Sequence, residues 1–255
     1  MSKALAKADE AQLPAELAAQ FEADAGAGNE NVRQEDLVVP FLKILQKMSP
    51  ELDKRAPEYI QGAEEGMIMN NATGELWTET EGVTVVTCAF NRTTLEWKLR
   101  EQGGGLVARW DRDDPNKPAV AMKDEKGRDI TNTGTQLVDV LEHFVLTLDE
   151  NGMPSGGALV SMSSTQLKYG RKWNNLVVNA KIPGTAKQLP RYGQKFKLTT
   201  VGESNDQGSW CSWKVTADGI VTDPVVYQAA KEFHQLVSSE EAVVRYPEEE
   251  TQNVM

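Results

Sequence analysis

The run Asp149-Glu150-Asn151-Gly152, set between two apolar stretches, constrains this chain more than any other feature. Asn-Gly suits the tight turns that fold a strand back on itself, because both residues tolerate the positive φ that such turns require. The pattern predicts a strand over 138–148, a turn over 150–157 and a strand over 158–162. A hairpin here commits the flanking sequence to antiparallel pairing. The segments on either side carry the same spacing. Residues 67–77 alternate apolar pairs with the turn residues Asn70, Asn71, Thr73 and Gly74. GVTVVTCAFNRTTLEWKL reads as two strands joined at 91–93, with Leu95, Trp97 and Leu99 on one face of the second. YGQKFKLTTV places Phe196 and Leu198 opposite Lys195 and Lys197, and WCSWKV supplies a partner strand.

Helical patterns flank this β core. After Pro40, the residues Phe41, Ile44, Leu45 and Met48 fall on one helical face. A Ser-rich stretch caps a basic helix over 166–178, with Leu167, Trp173 and Leu176 as its buried stripe. Asp223-Pro224 opens an amphipathic helix over 224–238. Residues 111–135 are rich in charge, Pro, Asn and Gly, and predict a long excursion with a small hairpin near Lys126-Gly127. The expected fold is α+β and mainly antiparallel β: an OB-like barrel, or a small β-sandwich, with flanking helices and flexible acidic termini. Residues 1–34 read as a disordered arm with a transient helix over 13–21, residues 35–238 as one β-rich domain, and residues 239–255 as an acidic tail. The excursion at 111–135 and the basic segment at 166–190 are then insertions on the barrel.

Charge is distributed unevenly. The chain has 27 basic and 38 acidic residues, yet no Asp or Glu falls between Glu150 and Glu203. Lys168, Arg171, Lys172, Lys181, Lys187, Arg191, Lys195 and Lys197 lie in that interval, with Tyr169, Trp173, Tyr192 and Phe196 among them. Cations attract phosphates and flat rings stack on bases, a pairing suited to single-stranded nucleic acid. Solvated lysines at the rim of a β core, with the rings buried, are the plain alternative. An acidic chain can still carry a local basic groove, since charges are screened beyond ~8–10 Å.

Other chemistries find little support. Cys88 and Cys211 sit in apolar, strand-like surroundings without a CxxC motif, and are expected as buried, reduced thiols. His143 and His234 stand alone in apolar-periodic stretches and are expected to pack. Gly103, Gly104 and Gly105 match neither a dinucleotide fingerprint nor a P-loop, and Asp111, Asp113 and Asp114 lack the Gly and Glu of a calcium loop. No metal, no cofactor and no catalytic residue is expected. No apolar run reaches the ~20 residues of a membrane span, and the N-terminus lacks the apolar core of a signal peptide.

Three segments carry a likeness to a known group: VPFLKILQKMSPE with YIQGAEEGMIMNNATGELW, then STQLKYGRKWNNL, then KFKLTTVGESNDQGSWCSWKV. In their order and texture they resemble bacteriophage single-stranded-DNA-binding or replication-associated proteins. The likeness covers about residues 37–216 and includes no catalytic signature. It implies a phage protein, cytoplasmic in the infected bacterium, that coats single strands during replication or recombination. Those relatives with an acidic tail end on an aromatic residue, whereas this chain ends Asn253-Val254-Met255.

The expected function is therefore non-catalytic, sequence-independent binding of single-stranded DNA. Phosphates would be tracked by Lys168, Arg171, Lys172, Arg191, Lys195 and Lys197, and bases stacked on Tyr169, Trp173 and Tyr192. Trp97, Lys98, Arg100, Arg109 and Trp110, which flank the glycine tip, would continue the surface. Trp210 and Trp213 are expected in the core. The acidic tail would compete for the groove or recruit replication or recombination proteins, and a homo-oligomer is compatible with the sequence. The alternative is a phage protein-interaction module that acts on a host polymerase or nuclease.

Overall fold

The structure is a computed structural model. It describes residues 14–24, 27–28, 38–206, 208–239 and 244–246. The expected acidic arm and tail lie mostly outside these residues; within the arm, α1 spans Ala15–Ala23.

The Asn-Gly hairpin forms where the sequence predicts it. β8 (Gln136–Leu148) pairs antiparallel with β9 (Pro154–Ser163). Gly152 takes φ 77°, and the Asp149 carboxylate accepts from the Asn151 and Met153 amides at 2.9 and 2.8 Å, which locks the turn. β9 starts four residues earlier than the apolar pattern suggests, because Pro154–Gly157 pair along β8 without burying large side chains.

β4 (Val83–Trp97) is one continuous strand, not two. No Gly or Pro interrupts it, and residues 91–93 stay paired to β8 throughout. A register shift at Thr87–Ala89 bends it. That bend lets the strand serve two neighbours on one edge: β10 (Gln194–Asn205) along 83–86 and β5 (Leu106–Asp111) along 93–97. β10 forms a long hairpin with β11 (Gly208–Ile220). β6 (Val120–Lys123) and β7 (Asp129–Thr131) form the small hairpin expected near Gly127 and join β8 through β7.

Five of these strands make a curled half-barrel in the order β11-β10-β4-β8-β9, and α2 (Leu167–Asn179) connects β9 to β10. This is the strand order of an oligonucleotide-binding barrel, 5-4-1-2-3 with a helix after the third strand. β5, β6 and β7 form a wing inserted between its first and second strands.

The stretch after Pro40 departs from expectation. It is not a helix but β1 (Leu42–Ile44), paired in a small sheet with β2 (Ile68–Asn70) and β3 (Leu76–Trp77). β1 fills the gap between β9 and β11. Phe41 bridges Leu159 in parallel, and the Leu159 amide donates to the Pro40 carbonyl at 2.8 Å. Leu42 and Leu45 are buried, while Met48, assigned to the helical face, is 76% exposed. Burial against β9 outweighs a local helical spacing.

Side-chain amides complete the closure. Gln46 donates to the Cys211 carbonyl and accepts from the Cys211 amide, both at 2.9 Å. Gln166 donates to the Cys211 carbonyl at 3.3 Å and accepts from the Trp213 amide at 3.2 Å. At Cys211 and Trp213 the outer edge of β11 is thus satisfied without another strand. Inside lie Val83, Val85, Val145, Val160, Phe196, Leu198 and Trp213, capped by Trp173 and Val177 of α2. Leu167 packs partly buried against the same core as Trp173, as expected, but Gly170 and Val177 complete the buried stripe and Leu176 is 37% exposed. Cys88 is buried as expected, and Cys211 is half-exposed.

α3 (Pro224–Ser238) matches its predicted span, with Asp223 accepting from the Val225 and Val226 amides. It packs on the outer face of β4, β8 and β9 through Val226, Ala230, Phe233 and Val237. No helix among the described residues is long and apolar enough to cross a membrane.

Candidate nucleic-acid interface

Oligonucleotide-binding barrels commonly hold their ligand on the outer face of the second and third strands. Here that face, on β8 and β9, is covered. α3 lies over Phe144, Leu146 and Leu159. Tyr246 packs edge-on against Phe41 and donates its hydroxyl proton to Glu142, a fully buried carboxylate on β8. Arg109 also donates to Glu142, at 2.7 Å.

The outer face of the β10–β11 hairpin is not covered in this way. Strand alternation puts Phe196 and Leu198 inside and Lys195 and Lys197 outside, as the sequence predicts. Thr199 lies opposite Lys214, and Lys197 opposite Thr216, so Lys197 and Lys214 are diagonal neighbours on one face. The same alternation carries Trp210 outward, opposite Glu203, while Trp213 turns inward. From Lys195 to Glu203 the face runs about 27 Å at the rise of an extended strand.

The start of α2 meets the hairpin end of this face at Glu203. Lys168 donates to Glu203 at 2.6 Å, Tyr169 and Ser212 at 2.5 Å, and the Trp210 indole at 3.2 Å. Burial acts to raise the Glu203 pKa, but the bonds from Lys168, Ser212 and Tyr169 outweigh it and bring it down to about 2. Glu203 therefore remains an anion with its charge matched by Lys168. It organises Tyr169, Trp210 and Lys168 into a fixed cluster. Lys195, Lys197 and Lys214 make no ion pair with any described residue.

The model of the Pam3 phage gp34-like protein family matches residues 7–243. The chain belongs to that phage family. No curated protein and no solved structure matches it.

In this gp34-like protein the expected site residues divide into three groups. Lys195 and Lys197 lie at one end of the β10–β11 face, and Lys168 and Tyr169 meet its other end at Glu203. Arg171 and Lys172 are exposed on α2. The remainder are buried, bonded elsewhere or at the far end of β4. Trp173 is fully buried, stacked on His143 at 4.3 Å with rings nearly parallel, so it offers no ring face to a base. Trp97 is likewise buried, at 2% exposure. Alternation on a strand and helical spacing toward the core put both rings inside, and their flanking charges are no guide to their direction. Tyr192 packs between Tyr227 and His234. Arg191 is half-buried beside α2, donating to Asn174 at 2.9 Å. Thus the 166–173 and 191–197 segments do touch, but in the core, where the Trp173 and Phe196 rings meet edge-on at 5.7 Å, and not through a row of exposed cations.

The glycine tip lies at the opposite end of β4. Residues 87–92 of that strand separate the β10 pairing from the β5 pairing. There Lys98 and Arg100 are exposed, Arg109 is paired with Glu142, and the Trp110 indole donates to Glu96 at 2.9 Å. Two residues of the face, Trp210 and Lys214, were not expected on it. Parity would have found them: Trp210 and Trp213 are three apart, so on a strand they must point to opposite sides.

Proposed function

We propose that this chain binds single-stranded DNA, without catalysis and without sequence preference, across the outer face of β10 and β11, in phage replication or recombination. The supporting observation is that face itself. On an oligonucleotide-binding barrel whose β8–β9 face is closed, it pairs three unmatched lysines with the half-buried rings of Trp210 and Tyr169. Lysines track phosphates, and the Trp210 ring, held at its edge by Glu203, is the stacking surface, whereas the Tyr169 ring packs on the core with Lys168 over it. Arg171 and Lys172 extend the positive field beyond the start of α2. No base-reading set of bidentate side chains is grouped there, which favours sequence tolerance.

Anisotropy of a labelled oligo(dT) tests the reading. Binding should be micromolar or tighter at low salt and should weaken steeply as salt is added. Affinity no better than millimolar at low salt sinks it. Incubating labelled DNA with Mg²⁺ or Mn²⁺ should leave the DNA intact; cleavage would replace the proposal with a nuclease.

A further inference from the structure

A cleft of about 520 Å³ opens between the last turn of α3, the middle of β4 and the turn at 190–192. Its walls include Asn91, Arg191, Tyr192, His234 and Ser238, together with the apolar Phe90 and Val237. Among the described residues, no acidic side chain lines it.

Arg191 is the charged residue of the cleft. Its guanidinium lies over the Phe90 ring, 5.5 Å from the centroid. One terminal nitrogen donates to the neutral Asn174 side chain at 2.9 Å. The other, Nη1, is buried without a partner. No carboxylate of a described residue pairs with it, and burial lowers its pKa to about 10, so it is still a cation at neutral pH. Its backbone is held in place, since Thr87 donates its hydroxyl to the Arg191 carbonyl at 2.9 Å. A desolvated, unpaired charge is costly to keep, and proteins generally supply it with a counter-charge. A guanidinium presents a planar fork that matches phosphate oxygens in pairs.

The rest of the cleft suits a phosphate borne on a flat organic body. Its volume lies in the range of small-ligand pockets, and Phe90, Tyr192 and Val237 give it apolar walls. His234 donates from Nδ1 to the Cys88 carbonyl at 3.0 Å, which fixes its ring beside Tyr192. We propose that this cleft is a nucleotide-phosphate site, with Arg191 pairing the phosphate and the Phe90–Tyr192 wall receiving the sugar or base. The proposal does not depend on strand binding at β10–β11.

Titration of the full chain with inorganic phosphate and with dTMP, at constant ionic strength in chloride, tests it by calorimetry and thermal melting. Both ligands should raise the melting temperature, dTMP more than phosphate. Arg191→Gln should weaken dTMP by about tenfold or more, the usual cost of removing one partner of a desolvated charge pair. Asn91→Asp gives a second variant that keeps the shape of an exposed residue and places a carboxylate on the cleft wall; it should weaken dTMP to a similar degree. No response of the wild type to either ligand overturns the proposal, as does an unchanged dTMP affinity in both variants. Competition separates the two sources of the phosphate. An oligo(dT) with a 5′ phosphate that displaces dTMP, where its 5′-hydroxyl counterpart does not, assigns the cleft to a strand end. Failure of both to displace bound dTMP assigns it to free nucleotide. Oligo binding without dTMP binding sinks the cleft and leaves the β10–β11 reading intact; dTMP binding without oligo binding does the reverse.

Discussion

Glu203 shows how one acidic residue can serve a basic face. Its carboxylate holds Lys168, Tyr169, Ser212 and Trp210 in one arrangement. Its pKa falls from 4.5 to about 2 on folding, so its contribution to stability is complete above about pH 4.5 and is lost as the pH drops toward 2. Thermal melts of wild type and Glu203→Gln should therefore converge across that window, with the wild type losing more stability on acidification. At neutral pH the same variant removes a negative charge from the face and should bind oligo(dT) a few-fold more tightly at low salt. The tryptophans divide by direction. Trp210→Ala should cost oligo binding ~1–3 kcal/mol, the range for one stacked base, with little change in melting. Trp173→Ala should cost ~3–5 kcal/mol of folding stability, as expected for a ring removed from a closed core. Comparable loss of oligo affinity in well-folded samples of both variants would refute this division.

At the scale of elements, closure of the barrel by glutamines makes its own prediction. Gln46 and Gln166 satisfy the backbone groups of Cys211 and Trp213 that an adjacent strand would otherwise take. Gln166→Ala should destabilise the chain by ~1–3 kcal/mol through the donors and acceptors left unpaired, and should raise amide exchange along β11. If protection at Trp213 is unchanged, the amide is not what seals that edge. Elements like this one explain what the sequence reveals and what it hides. The Asn151-Gly152 hairpin, the Phe196/Lys197 alternation and the Asp223-capped helix are local signals, and each appears where local chemistry places it. β1 is not local. Phe41, Ile44, Leu45 and Met48 fit a helical face, but a gap between β9 and β11, set by residues more than a hundred positions away, draws the segment into a strand. The continuity of β4 is hidden for the same reason, since its two partners on one edge come from β10 and β5. Among site residues, the lack of acids from 151 to 202 points to the strand that carries the outward lysines Lys195 and Lys197. It says nothing of direction, so it assigns Trp173 and Arg191 to a surface they do not share and omits Trp210 and Lys214.

Taken whole, the molecule carries a net charge of −11, while Lys195, Lys197 and Lys214 lie outward on the β10–β11 hairpin. That combination makes salt the decisive variable. A single strand lying along β10 and β11 would release counterions near Lys195, Lys197 and Lys214, while the acidic remainder of the chain repels the strand over a range that salt shortens. With about three phosphates neutralised, the logarithm of affinity should fall against the logarithm of salt with a slope near −2, since each phosphate on a single strand contributes about −0.7. Lys197→Glu sits at the centre of the row and should both weaken binding and make the slope shallower by about one phosphate's worth. Arg100→Glu, at the far end of β4, should leave the slope unchanged if the strand keeps to the hairpin. A slope that responds equally to both changes would mean that the strand spans the whole edge of β4, from β10 to the β5 wing.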